Sequence, residues 1–202
     1  MSEPAQRRWT VEEFFAWQKD QPLRYELVGG FPVRLMAGAT NVHDDIVVNL
    51  IAEVRQQLRG GGCRPFTGDG SIETRPGQIR RPDAGIDGGG RRDPTATMAA
   101  EPRMVAEILS PSTRDFDTFE KLEEYKAVAS LDYLLVIEPN APEVVMWSRA
   151  ADRTWERRLV QGLDQELDMP DVGVRLAMSV LYDGIEFPPR PRLVPDEREP
   201  NS

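Results

Sequence analysis

The chain has 202 residues, of which 40% are hydrophobic and 29% are charged, so it is long enough to form one domain with a sizeable core. The net charge of −9 argues against a strong nonspecific grip on nucleic acid, and the single cysteine, Cys63, excludes intrachain disulfides and cysteine-built zinc sites. The N-terminal residues lack an apolar signal segment, and no apolar run approaches the roughly 18–20 residues of a membrane helix. We therefore expect a cytoplasmic protein with no membrane contact.

The first elements are a short helix and a hairpin. Thr10 and Glu13 have the spacing of a capping box, which predicts a helix that begins there and runs through Trp17. Gly29-Gly30 predicts a tight turn between strands at 24–28 and 31–36. Because Pro32 cannot donate a backbone hydrogen bond, the second strand is expected to begin at a sheet edge.

Residues 41–58 carry the clearest helical periodicity in the chain. Further elements are expected after it, namely strands at 63–67, 71–74, 79–86, 103–109, 131–138, 143–147, 154–160 and 171–174, a helix after Pro111 and a short helix at 177–181. This order predicts an α/β (α+β) fold with a central mixed sheet flanked by helices and additional antiparallel hairpins. We expect one domain over 1–186 and a disordered tail, rich in proline and charge, over 187–202.

Arginines are concentrated around the centre of the chain. A local basic patch and an ordinary solvated face are both compatible with this clustering. The residues are Arg75, Arg80, Arg81, Arg91, Arg92 and Arg103.

Two acids interrupt strand-like runs in the same region. Asp83 follows Pro82, and Glu107 stands inside the apolar segment 103–109. A carboxylate in such a strand costs several kcal/mol unless it is paired or binds a metal. If the two strands are neighbours, both side chains could share one Mg²⁺. Alternatively, Asp83 is a turn residue and Glu107 pairs with an arginine such as Arg103.

Asp117 and Lys121 lie one turn apart on the next predicted helix, where Lys121 falls beside the buried stripe at Tyr125. They either belong to the site or form an exposed ion pair worth a few tenths of a kcal/mol. The only histidine, His43, lies on the apolar face of the helix at 41–58. It is either a core histidine or a residue that orients the site.

Glu26 alternates with apolar neighbours, Tyr25 and Leu27, which predicts that it faces solvent. No phosphate-binding loop, G-x-S-x-G elbow or H-E-x-x-H motif is present in the sequence.

The same residues carry a family resemblance. The chain resembles the Uma-two family, bacterial proteins predicted to be restriction endonucleases of the PD-(D/E)XK superfamily, over about residues 10–180. The matching segments, in chain order, are Tyr25–Gly30, His43, Pro82-Asp83, Glu107–Thr113, Asp117, Lys121, Tyr125, Tyr133 and Val136–Pro139.

The resemblance implies a restriction-endonuclease-like core and Mg²⁺-dependent (or Mn²⁺-dependent) hydrolysis of DNA phosphodiester bonds. Asp83, Glu107 and the backbone carbonyl of Ile108 would be the metal ligands. A lysine would orient the attacking water and stabilise charge on the phosphate. Glu26 and His43 match supporting positions near that site.

The chain departs from the superfamily pattern at one point. The pattern places its lysine two residues after the acid, and Leu109 stands there. We expect Lys121 to replace it from the following helix, with Asp117 holding it in place.

Two other functions stay open. The chain could be a catalytically inactive nuclease fold that binds nucleic acid or regulates a partner, or an interaction domain whose tail binds a partner. A homodimer is compatible with cutting both strands of DNA.

Overall fold

The structure is a computed structural model. It describes residues 7–35, 40–90, 94–110 and 116–187, with backbone only for residues 116–119. Within these ranges the helices are α1 (Val11–Gln18), α2 (Asn41–Gln57), α3 (Phe116–Ala127) and α4 (Met178–Leu181). The strands are β1 (Tyr25–Val28), β2 (Phe31–Arg34), β3 (Arg64–Thr67), β4 (Ile72–Arg75), β5 (Gln78–Arg80), β6 (Ala84–Asp87), β7 (Pro102–Ile108), β8 (Tyr133–Glu138), β9 (Glu143–Arg149), β10 (Trp155–Gln161), β11 (Glu166–Met169) and β12 (Val174–Ala177).

A six-stranded sheet with the order β10-β9-β8-β7-β6-β3 forms the centre of the molecule. β7 and β8 run parallel, and the other neighbours are antiparallel. The buried face of α2, with Ile46, Leu50 and Val54, joins one side of this sheet in a common core. Tyr125 of α3 belongs to the cluster on the other side, so the predicted mixed sheet flanked by helices is confirmed.

A second sheet of four strands has the order β2-β1-β5-β4. Its core includes Phe14 of α1, Leu27 of β1 and Ile79 of β5. The predicted hairpin and the edge position of β2 are confirmed.

One prediction fails in this region. Residues 79–86 form two strands in two different sheets, because the chain leaves β5 after Arg80 and enters β6 at Ala84. The intervening Pro82 has no N–H for a continuous ladder. This break between the sheets positions Asp83.

The helix starts follow from their caps. Thr10 and Glu13 form the expected capping box at α1, and the Thr40 hydroxyl accepts the N–H of His43 at 3.3 Å at the start of α2. α2 ends at Gln57, one residue before the predicted end, and Gly60 then adopts a positive φ of 84°. The first turn of α2 therefore has a fixed geometry, which matters because it carries His43.

The C-terminal part differs in detail from the prediction. A 3₁₀ turn at Pro170–Val172 and Gly173, with φ 70°, replace the strand predicted at 171–174, and they connect β11 to β12. β11 was not predicted. Phe187 still packs on Tyr182, with ring centroids 5.3 Å apart, while residues 188–202 of the predicted tail lie outside the described residues. No helix in the described ranges is long and apolar enough to span a membrane.

Candidate active site

The pairing of β6 with β7 brings the two acids together. Ala84 lies opposite Ala106 in this antiparallel ladder, so Asp83 and Glu107, one residue further along, come to the same end of the sheet. The N–H of Ile108 donates a hydrogen bond of 2.8 Å to Oδ2 of Asp83. Two carboxylates that are 24 positions apart in the chain are thus neighbours on adjacent strands.

The backbone at Ile108 also faces this site. The N–H of Leu109 donates to the carbonyl of Ile137 on the β8 side at 2.9 Å. Because backbone groups alternate in direction along a strand, the carbonyl of Ile108 points to the other side, where Asp83 lies. This orientation is the one that the proposed backbone ligand requires.

Glu107 accepts a hydrogen bond of 2.7 Å from the hydroxyl of the buried Tyr125. Burial raises the pKa of Glu107 to about 8, the negative charges of Asp83 and Glu26 add to the rise, and Lys121 and Tyr125 oppose it. The alternative pairing of Glu107 with Arg103 is wrong, because Nε of Arg103 donates to Asp132 at 2.6 Å.

Lys121 reaches the site from α3. It is 9% exposed, and its Nζ lies 3.4 Å from Oε1 of Glu26. Its positive charge opposes the rise in the pKa of Glu107 that burial causes. The expected contact with Asp117 falls on a side chain outside the described residues.

Glu26 does not face solvent, so that expectation was wrong. It is 3% exposed, its Oε1 accepts the backbone N–H of Arg81 at 3.0 Å, and its Oε2 accepts from Arg80 at 2.9 Å. Strand alternation shows that two faces differ but cannot tell which one is covered, and here the face that carries Glu26 is buried. Glu26 therefore links Lys121 to the chain just before Asp83.

A network around Arg80 supports Glu26, and sequence reasoning missed it. Arg80 donates to both carboxylate oxygens of Glu124, each at 2.8 Å, and Gln78 and Thr74 donate to the same group. Although burial would raise the pKa of Glu124, these donors hold it below its usual range. The partners lie 44 or more positions apart in the chain, so no local pattern signals them.

His43 lies beside Asp83, with 3.3 Å between Nε2 and Oδ2. Its hydrogen bond with Asp83 raises the pKa of His43, while burial acts in the opposite direction. Its Nδ1 is buried without a hydrogen-bond partner in the described part of the chain. The geometry therefore places His43 at the edge of the two-carboxylate site, where it can orient Asp83.

The donor set fits a small hard cation. Among the described residues, no group of three or more His, Cys, Asp or Glu side chains forms a ready metal cage. Asp83, Glu107 and the carbonyl of Ile108 offer three protein oxygens, and Mg²⁺ typically takes a few protein oxygens and keeps several waters. The raised pKa of Glu107 also reflects repulsion between carboxylates that a divalent cation would offset.

One solved structure and one sequence relative are similar to this chain. A crystal structure described as a "putative nuclease belonging to DUF820", from Anabaena variabilis, superposes with a TM-score of 0.67 at 15% identity, over 85% of this chain and 96% of that one. A Synechocystis protein described as uncharacterized is 27% identical over 177 residues, which is 87% of this chain and 92% of that protein.

A family model described as "Putative restriction endonuclease" matches residues 11–180. The matched span contains α1 through most of α4, and with them both carboxylates, Lys121, Glu26 and His43. The match covers far more than half of the chain, and the chain therefore belongs to the Uma2 family.

Proposed function

We propose that the protein is a divalent-metal-dependent endonuclease that hydrolyses phosphodiester bonds in DNA. The observation that carries this proposal is the convergence of Asp83, Glu107 and Lys121 at the end of β6 and β7. Two carboxylates beside an amine are the groups that metal-assisted hydrolysis of a phosphodiester needs. The family membership and the shared fold agree with this assignment.

Asp83, Glu107 and the carbonyl of Ile108 would hold Mg²⁺ or Mn²⁺. When bound, the cation would lower the pKa of a water and neutralise charge on the phosphate. In the reaction, the water oxygen would bond to phosphorus as one bond from phosphorus to a sugar oxygen breaks, and the water would lose a proton to solvent while the released sugar oxygen gains one from solvent. Lys121, on the same side, would orient that water and stabilise the negative charge that grows on the phosphate.

Three further side chains would act as positioning residues. Glu26 holds Lys121 and the backbone of Arg81 through the same oxygen, so it couples the amine to the segment that carries Asp83. Tyr125 fixes the carboxylate of Glu107, and His43 contacts that of Asp83. Groups of this kind commonly change metal affinity by 10- to 100-fold when removed.

Nicking of supercoiled plasmid tests the proposal. We expect Mg²⁺- or Mn²⁺-dependent nicking that falls at least about 100-fold in Asp83→Asn, Glu107→Gln and Lys121→Met, since each removes a group at the reacting centre. Glu156→Gln, on exposed β10, is the matched control for the acids, and Lys126→Met, on the same helix as Lys121, is the control for the amine. Nicking that survives both carboxylate changes would rule out this site.

A second function is favoured by Leu109, which stands where the superfamily pattern has lysine. In that case the protein is a nuclease fold without catalysis that binds nucleic acid or regulates a partner. It predicts no cleavage with Mg²⁺ or Mn²⁺ and no metal-dependent rise in thermal stability. The endonuclease proposal predicts cleavage and a metal-dependent rise in thermal stability. Cutting both strands of DNA would require two sites, which a homodimer would supply.

A further inference from the structure

A cleft of about 470 Å³ opens between α1, the start of β1 and the turn after β3. Its walls carry three cationic side chains, Lys19, Arg24 and Arg81, and one acid, Asp69. The lining is therefore net positive, although the whole chain carries −9. A positive concave surface on an acidic protein concentrates anions locally, against the overall field.

Two adjacent arginines differ sharply in their partners. Arg80 is surrounded by the carboxylates of Glu26 and Glu124, which raise its pKa well above the usual value against the effect of burial. The guanidinium of Arg81, a residue that is 7% exposed, donates to two backbone carbonyls, those of Tyr25 at 3.0 Å and Asp69 at 2.7 Å. No carboxylate of the described residues forms an ion pair with Arg81.

The guanidinium of Arg81 thus retains N–H groups that could donate hydrogen bonds to a ligand. Arginine has five N–H groups, and two of them make these hydrogen bonds. A bound anion would give the Arg81 guanidinium an ionic partner, which it does not have among the described carboxylates.

The other two cations of the cleft can reach a ligand. Lys19 and Arg24 are exposed, and Arg24 pairs with Asp69 at 2.8 Å with 51% and 73% of the two side chains accessible. Exposed pairs of this kind contribute little to stability, so a phosphate can take the place of the carboxylate at small cost. Phe15, on the same wall, adds apolar surface for a sugar or base.

Arg81 connects the cleft to the segment that carries Asp83. Arg81 is two residues before Asp83, a separation of at most about 7 Å between Cα atoms, on the order of one or two nucleotide steps along a strand. Its N–H also donates to Glu26, the residue that holds Lys121. A strand with one phosphate at the carboxylates could therefore present a neighbouring phosphate to Arg81.

We infer that the cleft of Lys19, Arg24 and Arg81 binds a backbone phosphate of the DNA strand beside the scissile bond. The inference rests on the proposed function and extends it. It assigns DNA binding to side chains outside the metal site, and it makes Asp69 the residue that weakens this binding.

Fluorescence anisotropy with a labelled DNA duplex in EDTA measures binding without cleavage. The double variant Lys19→Gln/Arg24→Gln should weaken binding about tenfold, since charged hydrogen bonds to phosphate are lost. It should also reduce the slope of log Kd against log salt concentration by about 1, because one phosphate contact releases about 0.9 counterion.

Asp69→Asn tests whether removing the negative charge from the cleft strengthens DNA binding. It should tighten binding about threefold, since the competing carboxylate is gone, and a damaged fold would not produce that gain. Arg157→Gln, exposed on β10 at the far edge of the six-stranded sheet from β3, should match the wild type.

Several results would overturn the inference. These are no DNA binding by the wild-type protein, a double variant that matches Arg157→Gln in affinity and salt slope, or Asp69→Asn binding no tighter than wild type. An RNA duplex of the same sequence that binds at least as tightly as DNA would overturn the assignment to DNA.

The two proposals fail separately. If these binding differences appear without any metal-dependent nicking, the phosphate site stands and the catalytic proposal is refuted. If nicking depends on Asp83 and Glu107 but the cleft variants bind normally, the reverse holds.

Discussion

Glu107→Gln should stabilise the metal-free protein while it destroys the metal site. Burial raises the pKa of Glu107 from 4.5 to about 8, with the charge of Asp83 adding to the rise. The folded protein therefore keeps a proton that the unfolded chain releases between about pH 4.5 and 8. Its stability falls as the pH rises through that window, and the full loss is present above pH 8.

The size of this loss follows from the shift. One pKa unit corresponds to about 1.4 kcal/mol, so a rise from 4.5 to about 8 sets a ceiling of about 5 kcal/mol. Glu107 retains some solvent contact, and we therefore expect a measured loss of about 2 kcal/mol in the free energy of unfolding. The neutral amide of Glu107→Gln does not titrate and should remove this component.

Urea unfolding in EDTA at pH 5 to 9, for the wild type and Glu107→Gln, measures the difference directly. The two free energies of unfolding should diverge as the pH rises, with the variant the more stable at pH 8.5. His43 contributes a falling slope of its own, because its folded pKa is also raised, but both proteins retain it. Glu156→Gln, which changes an exposed acid, should follow the wild type. Curves that stay parallel from pH 5 to 8.5 would refute the reasoning.

Two further changes probe the neighbours of Glu107 and Lys121. Tyr125→Phe removes the donor to Glu107, so Mn²⁺ affinity measured by calorimetry at pH 7.5 should fall about tenfold, and an unchanged affinity would contradict the positioning role. Glu26→Gln removes the negative charge that Arg80 and Lys121 share. The free energy of unfolding, measured in urea, should fall by about 3 kcal/mol. A loss below about 0.5 kcal/mol would show that this buried cluster does not depend on Glu26.

The sequence predicted the elements whose signals are local. The capping box of Thr10 and Glu13 and the glycine pair after Val28 place α1 and the first hairpin, and the apolar period of α2 gives its length to within one residue. These signals depend on residues a few positions apart, which is the range over which caps, turns and amphipathic periods act.

What the sequence did not predict depends on contacts between distant segments. Glu26 was expected to face solvent from the pattern of its neighbours alone. In the structure it is buried against Arg80, which is more than 50 positions away in the chain. The single strand expected at 79–86 splits because its halves find partners in different sheets. Pro82 was a local hint of the break, but only the sheet pairing shows that the break places Asp83 beside β7.

The proposed role of Lys121 would let the fold compensate for the leucine at position 109. A side chain at Leu109, two residues after Glu107 on the same strand, would share the face of Glu107. α3 packs on that face, since Tyr125 reaches Glu107 from it, and Lys121 lies one helical turn before Tyr125. The amine therefore approaches the carboxylates from the same side as a lysine at Leu109 would. Glu26, whose Oε1 lies 3.4 Å from the amine, helps to offset the conformational entropy that the long side chain of Lys121 loses when it is fixed. The second sheet thus contributes to the candidate site through Glu26, the buried acid of β1 beside the amine of Lys121.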